Sequence, residues 1–342
     1  MNRKNFLSSI VPLGLATNIT ALYKFRSVFD QNDSSIISPP FLKPGDTIGI
    51  TCPAGSISLE EIQPAINKIK DWGYRVRIGD TIGKKDFTLA GTDQERLLDL
   101  QQMLDDSSVK AILFGRGGYG IVRIIDLLDL KKFTLHPKWI IGFSDITVLH
   151  SHINRNCKVA SLHSKMCNSF PSDWSSADPV QIDTIEFIKQ CIIGKKMMYT
   201  APVNVKNKMG KATGQLVGGN LKTLESMSGT ASDLVTKNKL LFVEDTGEYL
   251  YSIDRMFWNL QRTGKLNDLR GLIIGGFKVK PDDPGEEFGK TVEQIVLEKV
   301  KKYNYPVCFD FPVGHQKNNY PLKCGVVHHL VVSQSNVSLK EN

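Results

Sequence analysis

From residue 42 onward, short apolar runs alternate with longer segments whose apolar positions recur every three or four residues. Thr47 to Cys52 reads as a strand closed by Pro53-Ala54-Gly55-Ser56. Leu59 to Trp72 carries apolar side chains at helical spacing, and Tyr74 to Ile78 is a second strand. Thr92 and Glu95 form a capping box that opens a helix through Leu104. Val109 to Phe114 is a buried-looking strand running into Gly115-Arg116-Gly117-Gly118-Tyr119-Gly120. Ile121 to Leu128 reads as helical and Trp139 to Gly142 as a strand. Such an alternation predicts an α/β fold with a parallel sheet covered by helices on both faces. In sheets of that kind the chemistry sits at the carboxyl ends of the strands.

The pattern changes after about residue 170. Pro171 to Pro179 is rich in Ser, Asp and Pro, and Ile182 to Ile193 reads as a helix. A basic stretch follows. Beyond it come Leu216-Val217-Gly218-Gly219-Asn220, a strand from Leu240 to Val243 ending in Glu244-Asp245, a helix from Ser252 to Arg262 and a strand from Gly271 to Phe277. Thr291 to Tyr303 is a helix, and Pro306 to Val332 is rich in strand formers and turns. The expected division is a signal-like segment at 1–21, a polar linker at 22–41, an N-terminal α/β domain at 42–194, a connection at 195–211 and a smaller C-terminal domain at 212–342.

Composition narrows the function classes. The 342 residues are 41% hydrophobic and 23% charged, which excludes a mainly disordered chain. No run of about 18 uninterrupted apolar residues occurs, so no integral membrane span is expected. The net charge is +8, but the basic residues fall in scattered pairs such as Lys84-Lys85 and Lys301-Lys302, with no stripe interleaved with aromatics. A solvated surface is expected rather than a nucleic-acid partner. The six cysteines include no C-x-x-C pair and read as buried free thiols. The seven histidines show no H-E-x-x-H, so no metal site is expected. Arg3-Lys4 ahead of the apolar run Phe6 to Ala16 has the parts of a secretory signal. A periplasmic or exported location follows if it is one, and a cytoplasmic location otherwise.

Three strand ends could carry chemistry. In Ile140-Ile141-Gly142-Phe143-Ser144-Asp145-Ile146-Thr147, a Ser where a strand turns into a helix has its hydroxyl lifted out of the sheet, and the next amide is available to an oxyanion. The closing glycine of G-x-S-x-G is replaced by Ile146, and a plain helix cap by Ser144 or Asp145 fits the same residues. The turn from Gly115 to Gly120 lets backbone amides approach an anion, yet it matches neither G-x-G-x-x-G nor a P-loop. It is compatible with an oxyanion-hole contribution or with a merely tight turn. Glu244 and His315 form the third feature. A carboxylate orienting an imidazole that deprotonates a Ser is the logic of acyl transfer, although spacing alone does not bring the two together.

Taken in order, these segments resemble the LD-carboxypeptidase family of serine peptidases, the muramoyltetrapeptide carboxypeptidases. The resemblance runs from about Leu42 to Gly325. It is carried by Lys43-Pro44-Gly45-Asp46, Gly91-Thr92, Arg116 to Gly120, Gly142 to Thr147, Gly218-Gly219-Asn220-Leu221, Glu244-Asp245, Ile253-Asp254-Arg255-Met256 and Gly314-His315. It implies a flavodoxin-like N-terminal domain carrying Ser144 as nucleophile and a smaller C-terminal domain carrying Glu244 and His315 as orienting carboxylate and general base. The site then lies in the cleft between them, and the assembly is a homodimer. The implied reaction is hydrolysis of the L-to-D peptide bond of murein tetrapeptides, with release of D-alanine and no metal or cofactor.

The expected oxyanion donors are the amides of Gly118 and Asp145, and Arg116 is the candidate for the substrate carboxylate. The chain departs from the family at His163-Ser164-Lys165-Met166, where Gly-Pro usually precedes the Met. Two alternatives stand: a same-family peptidase cleaving a peptide-antibiotic conjugate in self-immunity, and a catalytically silent murein-peptide binding protein.

Overall fold

Five short strands of the N-terminal part build the scaffold on which the chemistry rests: β1 (Thr47–Thr51), β2 (Arg75–Ile78), β3 (Val109–Phe114), β4 (Trp139–Gly142) and β5 (Ser161–His163). The computed structural model describes residues 36–342, so the signal-like segment and most of the expected linker lie outside the described residues. The strands run parallel in the order β5-β4-β3-β1-β2. β3 and β4 are buried almost throughout, as the near-continuous apolar runs of a parallel sheet require.

The helices between these strands begin where the side chains dictate. In α1 (Leu59–Asp71), Ser58 and Glu61 cap the start reciprocally, and Ile62, Ala65, Ile66 and Ile69 turn inward at three- and four-residue intervals. Thr92 and Glu95 do the same for α2 (Asp93–Asp105). Ile121 to Leu128 departs from the helical expectation and forms two 3₁₀ turns, Ile121–Arg123 and Ile125–Leu127. No side-chain cap opens either turn, and the chain enters from Gly120 at φ 146°, a conformation that does not lead into an α-helix. After α3 (Lys131–Leu135) and β4, the helix α4 (Thr147–Asn156) leaves the strand end through a single 3₁₀ turn at Ser144–Ile146. A further helix, α5 (Pro179–Ile192), closes this part.

The second sheet is mixed. It is built from β6 (Met198–Ala201), β7 (Gly210–Asn220), β8 (Leu240–Glu248), β9 (Gly271–Val279) and β10 (Val307–Cys308), joined by two later strands. Short β11 (Leu322–Cys324) precedes these two, β12 (Val327–Val332) and β13 (Val337–Glu341). The order is β10-β9-β8-β7-β12-β13-β6, with β7 to β10 parallel and the rest antiparallel. The stretch expected as a connection thus supplies an edge strand, β6. On this sheet lie α6 (Leu221–Ser226), α7 (Leu250–Arg262) and α8 (Val292–Val300).

One finding was not visible in the sequence. β11, late in the chain, returns to the first sheet and pairs antiparallel with β5. Lys323 of β11 donates to both carboxylate oxygens of Glu341 in β13 at 2.9 Å, with both residues buried. The two sheets also share one apolar core, in which Ile112, Ile140 and Leu149 join Val217, Leu241 and Ile253. Each such side chain contributes about 1.5–3 kcal/mol through burial. All six cysteines are buried and free. Among the described residues no helix is long and apolar enough to cross a membrane, and no group of His, Cys, Asp and Glu could hold a metal ion.

Candidate active site

Ser144 stands directly beyond β4, where the chain turns sharply into α4. Its φ of 63° is a left-handed value that a residue with a side chain adopts at a cost of about 1–3 kcal/mol. Such strain is kept where it aims a side chain, and here it directs Ser144 away from the sheet at the head of a helix. The neighbouring glycine turn makes room for it. A Cβ on Gly117 would lie 2.9 Å from Ser144 Cβ and 3.1 Å from its Oγ, so a side chain there would fill the space the hydroxyl uses. Gly118, at φ 114°, follows at once, and its amide donates to no group among the described residues.

Asp145 holds these two segments together. Its Oδ2 accepts the Ile121 amide at 2.9 Å, which ties the end of the glycine turn to the head of the helix. Burial pushes its carboxyl up to about 6. For an acid raised above its unfolded value of about 4, the stabilisation from holding the proton is present at low pH and is lost as pH rises through about 6. The stability of the wild type relative to Asp145→Asn is therefore expected to decline by up to about 3 kcal/mol between pH 4 and 7. Urea unfolding at both pH values checks this, and a pH-independent difference would show that the carboxyl is not so perturbed.

Arg96, wholly buried, pins the same region. Its Nη1 donates to Pro53 O at 2.6 Å and to Gly120 O at 3.0 Å, and its Nη2 pairs with Asp93. Nothing in its local sequence singles it out, since an Arg in the first turn of a helix reads as solvent-facing. Arg116 lies on the glycine turn. Its Nη1 donates to Ser56 O at 3.3 Å, while its Nε is buried without a hydrogen-bond partner.

Glu244 and His315, 71 positions apart, do meet. Glu244 Oε2 accepts from His315 Nδ1 at 2.6 Å and from the His315 amide at 3.2 Å. Glu244 is fully buried, and the pairing register of β8 with β9 shifts between Val243 and Asp245, around it. An irregularity of that kind re-aims a side chain out of the regular alternation. Gly314 is what allows the contact, because a Cβ there would fall 2.5 Å from Glu244 Cβ and 2.6 Å from Oε2. When Nδ1 donates to the carboxylate, the acceptor position of the imidazole is Nε2.

The loop carrying His315 packs against the turn carrying Ser144, as the Phe143 ring lies 4.8 Å from the imidazole, centroid to centroid. Two further histidines sit behind this pair. His163 is enclosed by Phe143 and Phe242, and His150 bonds Gly142 O at 2.8 Å. Burial drives both far towards the neutral form, His150 down to about 4, so neither adds charge near the site.

The chain has known relatives. Residues 48–164 match the LD-carboxypeptidase N-terminal domain and residues 213–330 its C-terminal domain. A probable murein peptide carboxypeptidase of Bacillus subtilis (strain 168) is 34% identical over 296 residues, covering 85% of this chain and 89% of that one. The crystal structure of a muramoyltetrapeptide carboxypeptidase from Oxalobacter formigenes superposes with a TM-score of 0.76 at 26% identity, over 86% of this chain and 98% of that one. The microcin C7 self-immunity protein MccF, solved with aspartyl sulfamoyl adenosine, shares the fold with a TM-score of 0.78 at 21% identity, over 90% and 99% of the two chains. With both of its domain models matched in order, and a relative a third identical along most of its length, the chain belongs to the LD-carboxypeptidase family.

Proposed function

We propose that this protein is a serine carboxypeptidase that hydrolyses the L-to-D peptide bond of murein tetrapeptides and releases the terminal D-alanine. The observation that carries the reading is the buried Glu244–His315 hydrogen bond set beside a Ser144 held at positive φ. Ser144 Oγ attacks the carbonyl carbon of the residue before D-alanine while His315 Nε2 takes its proton. The amides of Asp145 and Gly118 receive the oxyanion that forms. His315 returns the proton to the departing D-alanine nitrogen, and water then resolves the acyl-enzyme by the same path in reverse. Glu244 keeps the imidazole in the tautomer this sequence needs and balances its positive charge. Arg116 is the candidate to receive a substrate carboxylate from the glycine turn.

The names of the matched relatives support a murein-peptide substrate. Family membership supports a homodimer, and the basic and apolar N-terminal segment supports an exported setting for the reaction. Incubation with a disaccharide tetrapeptide and with the corresponding pentapeptide, read by mass spectrometry, tests the reaction. Loss of one alanine from the tetrapeptide alone is expected. No loss from either would overturn the reading and direct the next assay to aminoacyl sulfamoyl nucleosides, the kind of ligand in the MccF structure.

A further inference from the structure

Two residues beyond β5, the chain places Lys165 against the cleft. It lines an open surface pocket of about 310 Å³ together with Phe143, His315, Lys278 and Lys317. Lys165 is only 8% exposed, yet its ammonium makes no hydrogen bond or ion pair among the described residues. Other buried lysines of this protein are satisfied. Lys299 pairs with Asp254, Lys323 pairs with Glu341, and Lys138 donates to the carbonyls of Met103 and Asp106. The rim of the pocket offers Lys165 no counter-ion. Lys278 is exposed and has no hydrogen bond or ion pair among the described residues, and the carboxylate of Asp178 is taken by Lys317 at 3.0 Å.

A lysine whose stem is buried while its ammonium faces an open pocket presents a cation that an incoming anion can pair with. Burial, with Lys278 adding repulsion, brings the Lys165 ammonium down to about 8, and the attraction of an incoming anion would oppose both effects.

We propose that Lys165, backed by Lys278, forms a carboxylate-binding subsite beside His315 that selects stem peptides by an anionic group next to the bond cut. The proposal rests on the reaction proposed above and adds the chemistry of its specificity. The carboxylate is either the free terminus of the departing D-residue or one carried on the side chain of the residue before it.

The test is calorimetric binding to the full chain carrying Ser144→Ala, so that ligands are not consumed. Three peptides are compared: a tetrapeptide with 2,6-diaminopimelate at the third position, the same peptide with its side-chain carboxylate amidated, and the same peptide with its terminal carboxylate amidated. Lys165→Met should raise the Kd of the first peptide by about ten- to hundredfold, the value of a charge-assisted hydrogen bond, while Lys165→Arg should stay within a few fold. Amidation of the recognised carboxylate should cost the same factor when Lys165 is present and nothing further when it is absent, which identifies the source.

Equal Kd values for all three peptides with Lys165 in place would overturn the subsite whether or not the Met variant folds. So would equal weakening of all three by Lys165→Met, which marks a structural lysine. Alanine release by the unsubstituted protein separates the two readings. Hydrolysis with carboxylate-independent binding sinks only the subsite, whereas carboxylate-dependent binding without hydrolysis sinks only the reaction.

Discussion

Ser144→Ala is expected to lower kcat for tetrapeptide hydrolysis by about a millionfold, and His315→Ala by nearly as much, with the fold unchanged. The hydroxyl has no substitute, because the turn that strains Ser144 aims one side chain alone at the head of α4. The two losses should not add, since a nucleophile without its base and a base without its nucleophile lack the same step. Released D-alanine gives the rate, and near-UV circular dichroism confirms the tertiary packing. A double variant much slower than either single one would show that the pair does not act as a unit. A rate within tenfold of the wild type in either single variant would remove that residue from the mechanism.

Glu244→Ala is the second large effect, with kcat expected to fall by about a thousand- to ten-thousandfold and KM to stay within a few fold. Glu244 touches the imidazole and not the substrate in the proposed reaction, so its loss should act on the chemical step. Two donors of His315, Nδ1 and the backbone amide, lose their acceptor together, leaving the ring free to choose the wrong tautomer and to turn. The split between kcat and KM is the informative readout. A rise in KM alone would place Glu244 in binding, and losses of equal size for Glu244→Ala and Ser144→Ala would give orientation the same weight as attack.

Much of the first sheet was legible because β3 and β4 are local apolar runs bounded by glycine, and their ends match the sequence reading to the residue. The Thr92–Glu95 box is equally local and appears as read. The 3₁₀ turns after Gly120 were misread as a helix because their apolar spacing is helical, while the deciding facts, a missing cap and the Gly120 backbone angle, are conformational. β5, β6 and β13 have no counterpart in the sequence reading. Each is three to five residues long, and apart from the β12–β13 hairpin their pairing is with segments well separated in sequence, such as Tyr199 opposite Leu339.

Within the site, Ser144 and the glycine turn announced themselves through a strand end, and the Glu244–His315 contact followed only from resemblance, since 71 residues separate the two. Arg96 carried no sequence signal, and Lys165 stood out only through its place in His163-Ser164-Lys165-Met166. One looks like an ordinary first-turn arginine and the other like a surface lysine, and only burial and the presence or absence of partners distinguishes them.

The return of β11 to the first sheet bears on how the molecule is made. As the chain emerges from the ribosome, the sheet bearing Ser144 is missing its outer strand until residues 322–324 arrive, and β5 waits with an unpaired edge. His315 emerges only seven residues before that strand begins, in the same late stretch of synthesis. In the proposed reaction, nucleophile and base are thus brought together only late in synthesis, and a chain ending before residue 315 is expected to show no hydrolysis.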